Sequence, residues 1–352
     1  MSTPRIYLDH AATTPLRPEA REVMLRGFDI WANPSSPHAE GRKARAALED
    51  ARERVKAALG WDGEVIFTSG ASEALAIALQ RARVERRIVS AVEHDAVFRA
   101  APDAEVAAMD GSLVSADSLQ ELLSTGRPAV VAIQHVNSET GIIQLPGRYA
   151  QMVHDAGGLL LSDCSQSAGK HHLPACDLAV VSAHKLGGPI GIGALLVRDF
   201  AMLQPSGGHE RGYRQGTENL PAALGFAAAL ENCETGYVRD NAAISDILCE
   251  FAEAVWDAGG AIVDGDGTTS MFIRAIAHPE MSAQAQLIRL DAMGFAVSAG
   301  SACSSGTLKR SRALDAFGVA DDVASRTIRV SVGWNTTPAE LNSFAEAWRS
   351  LS

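Results

Sequence analysis

The sequence predicts an α/β protein in which a large domain with a mainly parallel central sheet is joined by a smaller α+β domain. Three observations carry this expectation. The chain has 352 residues, a length that favours two domains over one small core. Between Glu64 and Val197, short apolar β-branched runs alternate with helical stretches, the order that βαβ units leave in a sequence. Beyond about Glu231 that order gives way to a long polar-apolar stretch and separated strand-like runs.

Taken in order, the strands fall at Val65–Thr68, Arg87–Val92, Ala129–Val136, Leu159–Asp163, Leu178–Ser182 and Ile192–Val197. Helices lie between them at Ala71–Arg81 and Leu145–Ala156, with Gly157-Gly158 as the stop before the next strand. The second region reads as a helix over Val238–Ala258, a strand over Thr269–Ala277, a helix over Ser282–Met293 and a strand over Thr327–Val332. The expected division is residues 14–233 for the large domain, with 1–13 and 234–352 forming the small one.

Composition narrows the function. The formal charge of -11 and the absence of a clustered Lys/Arg stripe argue against a nucleic-acid partner. The N-terminus runs straight into Leu8-Asp9-His10 without an apolar leader, and no apolar run approaches the roughly 18 residues of a membrane span. The expectation is a cytoplasmic protein with no membrane partner. Five cysteines without C-x-x-C spacing fit neither a disulfide framework nor a zinc site, and no metal is expected. Cys164, Cys176, Cys233 and Cys249 read as structural residues in strands or helices.

The residues that carry chemistry stand at strand ends. In Ser182-Ala183-His184-Lys185-Leu186-Gly187-Gly188-Pro189 a lysine follows an apolar strand and precedes a glycine turn. A single lysine is usually a solvated surface group, but one held in a crevice has a depressed pKa and condenses with a carbonyl cofactor. Asp163 closes another apolar strand, where open parallel sheets place their ligand crevices. It reads either as a turn aspartate or as the partner of a cationic ring nitrogen. Thr68-Ser69-Gly70-Ala71-Ser72-Glu73 runs from strand through glycine into helix, a phosphate seat that is also a common turn. His94, just past a strand, is a loop histidine or a ring-stacking acid and base. Ser298 to Gly306 surrounds Cys303 with small residues, an accessible setting for a thiol, although most free cysteines are buried and inert. Arg329 places a cation in an apolar strand and needs an anionic partner, either a neighbouring carboxylate or a substrate's.

Together these residues resemble the cysteine desulfurases, a family within the class V aminotransferase group of fold-type I pyridoxal-phosphate (PLP) enzymes. The resemblance runs from Tyr7 to about Thr337. It rests on Tyr7-Leu8-Asp9-His10-Ala11-Ala12-Thr13-Thr14-Pro15, Asn33-Pro34-Ser35-Ser36-Pro37-His38, the Thr68–Glu73 turn, Glu93-His94, His135-Val136-Asn137, Asp163 with Gln166, Ser182-Ala183-His184-Lys185, Arg214-Gln215-Gly216-Thr217, Gly300-Ser301-Ala302-Cys303 and Ile328-Arg329, all in family order.

The resemblance implies a PLP cofactor held as a Schiff base on Lys185, with Asp163 on the pyridine nitrogen, Gln166 on the ring hydroxyl and His94 stacked on the ring as acid and base. It assigns the phosphate to Ala71, Ser72, Ser182 and His184, joined by Thr217 of a partner subunit, which implies a homodimer with shared sites. Asn137 and Arg329 would hold the carboxylate of L-cysteine. Cys303 would take the sulfur as a persulfide and pass it to an acceptor or scaffold protein for iron–sulfur cluster or thio-cofactor assembly. The stretch after Cys303 resembles the long-loop NifS/IscS-like branch. The chain departs from the family at Ser72 and Ala74-Leu75, at Ser138 and Thr140, at Gly187 and Ile190 where Tyr and Lys are usual, and at His209; it also ends soon after Trp348. Selenocysteine lysis or another class V activity is the alternative.

Overall fold

Strand alternation builds the larger sheet. In β1 (Glu64–Thr68), Val65 and Phe67 face one side and Ile66 the other, because successive strand residues point to opposite faces. The same division repeats through β2 (Arg86–Ser90), β3 (Glu105–Ala107), β4 (Ala129–Ala132), β5 (Leu159–Asp163), β6 (Leu178–Ser182) and β7 (Gly193–Val197). One face, with Val65, Phe67, Ile88, Val131, Leu160, Val181 and Leu196, joins the main core. The other, with Ile66, Val89, Val130, Leu161, Val180 and Leu195, packs under Leu75, Ala78 and Leu79 of the Ala71–Arg81 helix. Both faces are covered, so these strands read as continuous apolar runs.

The chain, seen in a computed structural model, is described over residues 5–233, 236–237, 241–300 and 311–351. The sheet order is β1-β7-β6-β5-β4-β2-β3. β7 runs antiparallel to β1 and β6, and the other pairings are parallel. Strands β1, β2, β4, β5 and β6 therefore deliver their carboxyl ends to one edge of the sheet, where ligand crevices form in such folds.

Helices α1 (Pro18–Phe28) and α2 (Ala39–Leu59) pack on the almost wholly buried α4 (Leu220–Glu231), while α3 (Ala71–Arg81) covers the opposite face. The apolar surround of α4 is that of a helix enclosed on all sides. A second sheet orders β8 (Ala261–Ile262), β9 (Ile273–Ala277) and β10 (Thr327–Ser331), all antiparallel. Against it lie α5 (Asn241–Asp257) and α6 (Pro338–Arg349), joined by edge-to-face contacts of Phe251 with Phe344 and Trp348 at 5.5 Å. The short strand Ile6–Tyr7 pairs with Phe295–Ala296, so the N-terminal segment crosses to this part of the molecule. No helix among the described residues is long and apolar enough to cross a membrane.

Several sequence expectations need correction. The strands drawn to Val92 and Val136 end at Ser90 and Ala132, because Ala91 and Val92 enter a turn and Val136 bridges to Ile143 instead, although the Ile133 and His135 N–H groups still reach Leu161 O and Asp163 O. The Leu145–Ala156 helix is a 3-10 turn, Pro146–Tyr149, followed by a short α-helix, Ala150–Asp155. Three cysteines also sit differently: Cys164 follows β5, Cys176 is in a loop and Cys233 is in a turn, whereas Cys249 lies in a helix as expected, exposed on α5. Cys303 lies outside the described residues.

Candidate active site

The carboxyl ends of the strands enclose a cavity of about 460 Å³. At the end of β1, Gly70 adopts φ 150°, and α3 starts at Ala71, so that Ser69, Gly70 and the first helical residues Ala71 and Ser72 line this cavity. The turn passes so close to β7 that a Cβ on Gly193 would lie 2.9 Å from Gly70 Cα and 2.6 Å from Val181 O. Glycine at 193 makes the turn sterically possible. Glu73 accepts the Ser69 N–H at 2.5 Å and Arg214 Nε at 3.2 Å, and these bonds hold its carboxyl below the usual range against burial. Arg214 thereby ties the Arg214–Thr217 segment to the phosphate-type turn. Thr217 itself is exposed and does not line this cavity.

Past β2, His94 caps the Asp95–Ala100 helix by accepting the Ala96 N–H on Nδ1 at 3.2 Å. That bond puts the proton of the neutral ring on Nε2. Burial, then the nearby Lys185, lowers its pKa, while Asp163 opposes them. Its neighbour Glu93 is buried, accepting Ser90 Oγ–H at 2.6 Å and Gln134 N–H at 2.7 Å on Oε1. Burial pushes its carboxyl up to about 8, with Asp163 adding to the effect. The carboxyl staples the ends of β2 and β4 beneath His94.

β5 delivers Asp163, 9% exposed, whose Oδ1 accepts the Ser165 N–H at 2.9 Å. Gln166 donates from Nε2 to Ala11 O at 2.8 Å, while its Oε1 and Ser165 Oγ are buried without a protein partner. β6 delivers Ser182 and the 3-10 turn Ala183–Lys185. Burial lowers the Lys185 amine to about 8, Arg329 adds to this, and Asp163 and Asp9 resist it. His184, lowered by burial to about 4, sets Nδ1 3.1 Å from Thr13 Oγ. Gly187, at φ 93°, leaves room for Arg17: a Cβ there would meet Arg17 Cγ at 2.6 Å. Arg17 donates to Leu186 O and Tyr237 O at 3.2 Å, so the departure at Gly187 is filled by a cation bracing the lysine turn.

An adjoining cavity of about 520 Å³ shares His94 and Lys185 and adds Asp9, Asn137, Glu139 and Arg329. Arg329 donates from Nη1 to Ser138 O at 2.9 Å and pairs through Nη2 with Asp9 at 2.7 Å. Asn137 is more committed than its sequence reading suggests. Its Oδ1 accepts the N–H groups of Glu139 and Thr140 and the Thr140 hydroxyl, and its Nδ2 donates to Val92 O. One amide hydrogen is left for a ligand.

The structure thus gathers Ala71, Ser72, His94, Asp163, Gln166, Ser182, His184 and Lys185 around one cavity, with Asn137 and Arg329 in the next. The roles of Asp9 and Glu93, both quoted only as parts of motifs, and of Arg17 were not foreseen. A lone cation in an apolar strand was the one signal for Asp9, since it demanded a carboxylate somewhere. The unpartnered Ser165 Oγ and Gln166 Oε1, a carboxylate, a lowered lysine amine and a helix N-terminus on one wall fit pyridoxal phosphate.

A central sheet with one reversed strand and a lysine at the end of β6 defines a class of α/β enzyme, and residues 6–344 match the model of the aminotransferase class-V family. The chain is similar to the cysteine desulfurase of Frankia sp. (strain EuIK1), 35% identical over 97% of this chain and 90% of that one. Among solved structures it is similar to a NifS-like protein from Rickettsia africae ESF-5, with a TM-score of 0.87, 28% identity and 98% of each chain covered. A structure of SspA in complex with cysteine matches with a TM-score of 0.78 and 28% identity over 94% of this chain and 99% of that one. The chain belongs to the cysteine desulfurases of the aminotransferase class-V family, which are generally PLP-dependent.

Proposed function

We propose that this protein is a PLP-dependent cysteine desulfurase that converts L-cysteine to L-alanine and takes the sulfur onto Cys303. The observation that carries the reading is the Lys185 amine, lowered to about 8, sharing a cavity with Asp163, His94 and the N-terminus of α3. When bound, PLP supplies an electron sink that acidifies the substrate Cα–H and weakens the Cβ–S bond.

The chain's own residues do the rest. Ala71, Ser72, Ser182 and His184 hold the phosphate, Asp163 accepts from the pyridine nitrogen, and Gln166 meets the ring hydroxyl. Lys185 would anchor the cofactor and, as a free amine, would move the Cα proton of the substrate. His94, neutral with its proton on Nε2, would face the cofactor from the cavity wall and exchange a proton with the substrate. Arg329 and Asn137 hold the carboxylate. The Cys303 thiolate attacks the substrate sulfur: the Cβ–S bond breaks, an S–S bond forms, and the Cβ carbon gains a proton, so cysteine and a thiol become alanine and a persulfide without any outside oxidant.

A homodimer in which Thr217 completes the partner's phosphate site, and a sulfur-acceptor protein, belong to the same reading. So does the division into residues 14–233 and a smaller domain of 1–13 with 234–352, supported by the pairing of Ile6–Tyr7 with Phe295–Ala296. The test is sulfide and alanine release from L-cysteine with a reductant present, in wild type and Cys303→Ser. Wild type is expected to release both and the variant neither. A wild type that binds PLP yet releases no sulfide overturns the reading in favour of selenocysteine lysis or transamination.

A further inference from the structure

Arg329 is held before any substrate arrives. The segment Leu8–Ala11 lies along β10, fixed by Ser331 N–H to Leu8 O at 2.8 Å and Ala11 N–H to Ser331 Oγ at 2.9 Å. Tyr7 adds a bond from its hydroxyl to Asp9 O at 3.0 Å. This backbone sets the Asp9 carboxylate beside Arg329, with side chains 21% and 9% exposed. Asp9 takes Nη2 and Ser138 O takes Nη1, so the guanidinium is fixed at both ends, while Nε is buried with no partner. A planar fork anchored at two points cannot rotate about its long, flexible stem, and less freedom is lost when a carboxylate binds.

We propose that Asp9 is a positioning residue for the substrate carboxylate, holding the Arg329 guanidinium so that its remaining donors stay directed to an α-amino acid. The inference rests on the reading that Arg329 receives that carboxylate. Other charges border the pair: Glu139 and Lys185 line the same cavity, and Arg312 and Asp95 stand at its rim, paired with each other at 2.9 Å. Asp9 is distinguished from them by its direct bond to the guanidinium.

The test compares wild type, Asp9→Ala and Asp9→Asn with L-cysteine and with L-cysteine methyl ester, which lacks the carboxylate. Asp9→Ala is expected to raise KM for L-cysteine roughly tenfold with kcat changed by less than about threefold, and to leave KM for the ester unchanged. Asp9→Asn, which keeps an oxygen acceptor for Nη2, is expected to recover most of the loss. Titration of the PLP-loaded proteins with L-alanine and L-alaninamide, followed by cofactor absorbance, is expected to show the same split in affinity. An unchanged KM in Asp9→Ala, equal losses for acid and ester, or no recovery in Asp9→Asn overturns the proposal. A wild type that turns over neither substrate refutes the desulfurase reading instead, and the absorbance titration then decides the role of Asp9.

Discussion

Lys185 stands among charges of both signs, and their balance sets how it reacts. Burial first and Arg329 second bring its amine down to about 8, against Asp163 and Asp9, which favour its charged form. An amine of that pKa is about one-tenth neutral at pH 7, whereas an ordinary lysine is almost wholly charged. The nucleophile that captures a carbonyl is the neutral amine. Uptake of PLP by the cofactor-free protein is therefore expected to speed up as pH rises toward 8 and to level off above about 9, measured as the rate of chromophore growth at fixed PLP. A rate climbing in proportion to hydroxide from pH 8 up to about pH 10 would show an unshifted lysine. Lys185, Asp163 and His94 were legible in the sequence because each ends or follows an apolar run, where an ionisable residue is conspicuous. Asp9 was not legible as a partner, since it lies 320 residues from Arg329 and no local pattern relates them. Glu93 was legible as a motif but not as a staple, because its second partner Gln134 is 41 residues away and meets it only after two strands have aligned.

Elements were legible to the extent that their pattern was local. The boundaries of β5, β6 and α3 follow from sequence alone, each being a run of one period with a clear stop. The three-residue β3 is too short to show a period. The device protecting β1 was invisible for another reason. β1 is an edge strand, and its outer groups at Val65 O and Phe67 N are taken by Arg52 of α2 at 2.6 Å and by Glu210 at 2.8 Å. The two side chains are 2% and 1% exposed and pair at 2.7 Å, with Arg52 also lying over the Phe67 ring. Edge strands left open invite pairing with other chains. Removing one partner leaves the other charge buried and the strand edge bare, so Arg52→Ala is expected to lose about 3–5 kcal/mol of stability. Arg26→Ala, which breaks an exposed pair with Glu22, is expected to lose less than about 0.5 kcal/mol. Denaturant midpoints of the two variants with matching slopes would show the contrast, and equal losses would refute the buried-pair account.

Across the whole molecule, the surface around the cavity mouth and α1 is unusually apolar for one that faces water. Leu25, Phe28, Trp31 and Ile190 are 53%, 62%, 79% and 79% exposed, and Ile190 also lines the cavity that holds Lys185 and Asp163. Thr217 is exposed, three residues from the Arg214 that bonds Glu73 of the phosphate-type turn, and is absent from the cavity wall. In the proposed homodimer each Thr217 would serve the other subunit, an isologous exchange that two-fold symmetry makes reciprocal. Mixing variants separates that arrangement from its alternative. When Lys185→Ala and Thr217→Val protomers are unfolded, mixed equally and refolded together at limiting PLP, half of the dimers are expected to be mixed. Each mixed dimer has one site with Lys185 from one protomer and Thr217 from the other, so about a quarter of wild-type sites should return. If Thr217 serves its own protomer instead, no assortment of the two variants rebuilds a complete site, and the mixture stays at the mean of the two parents.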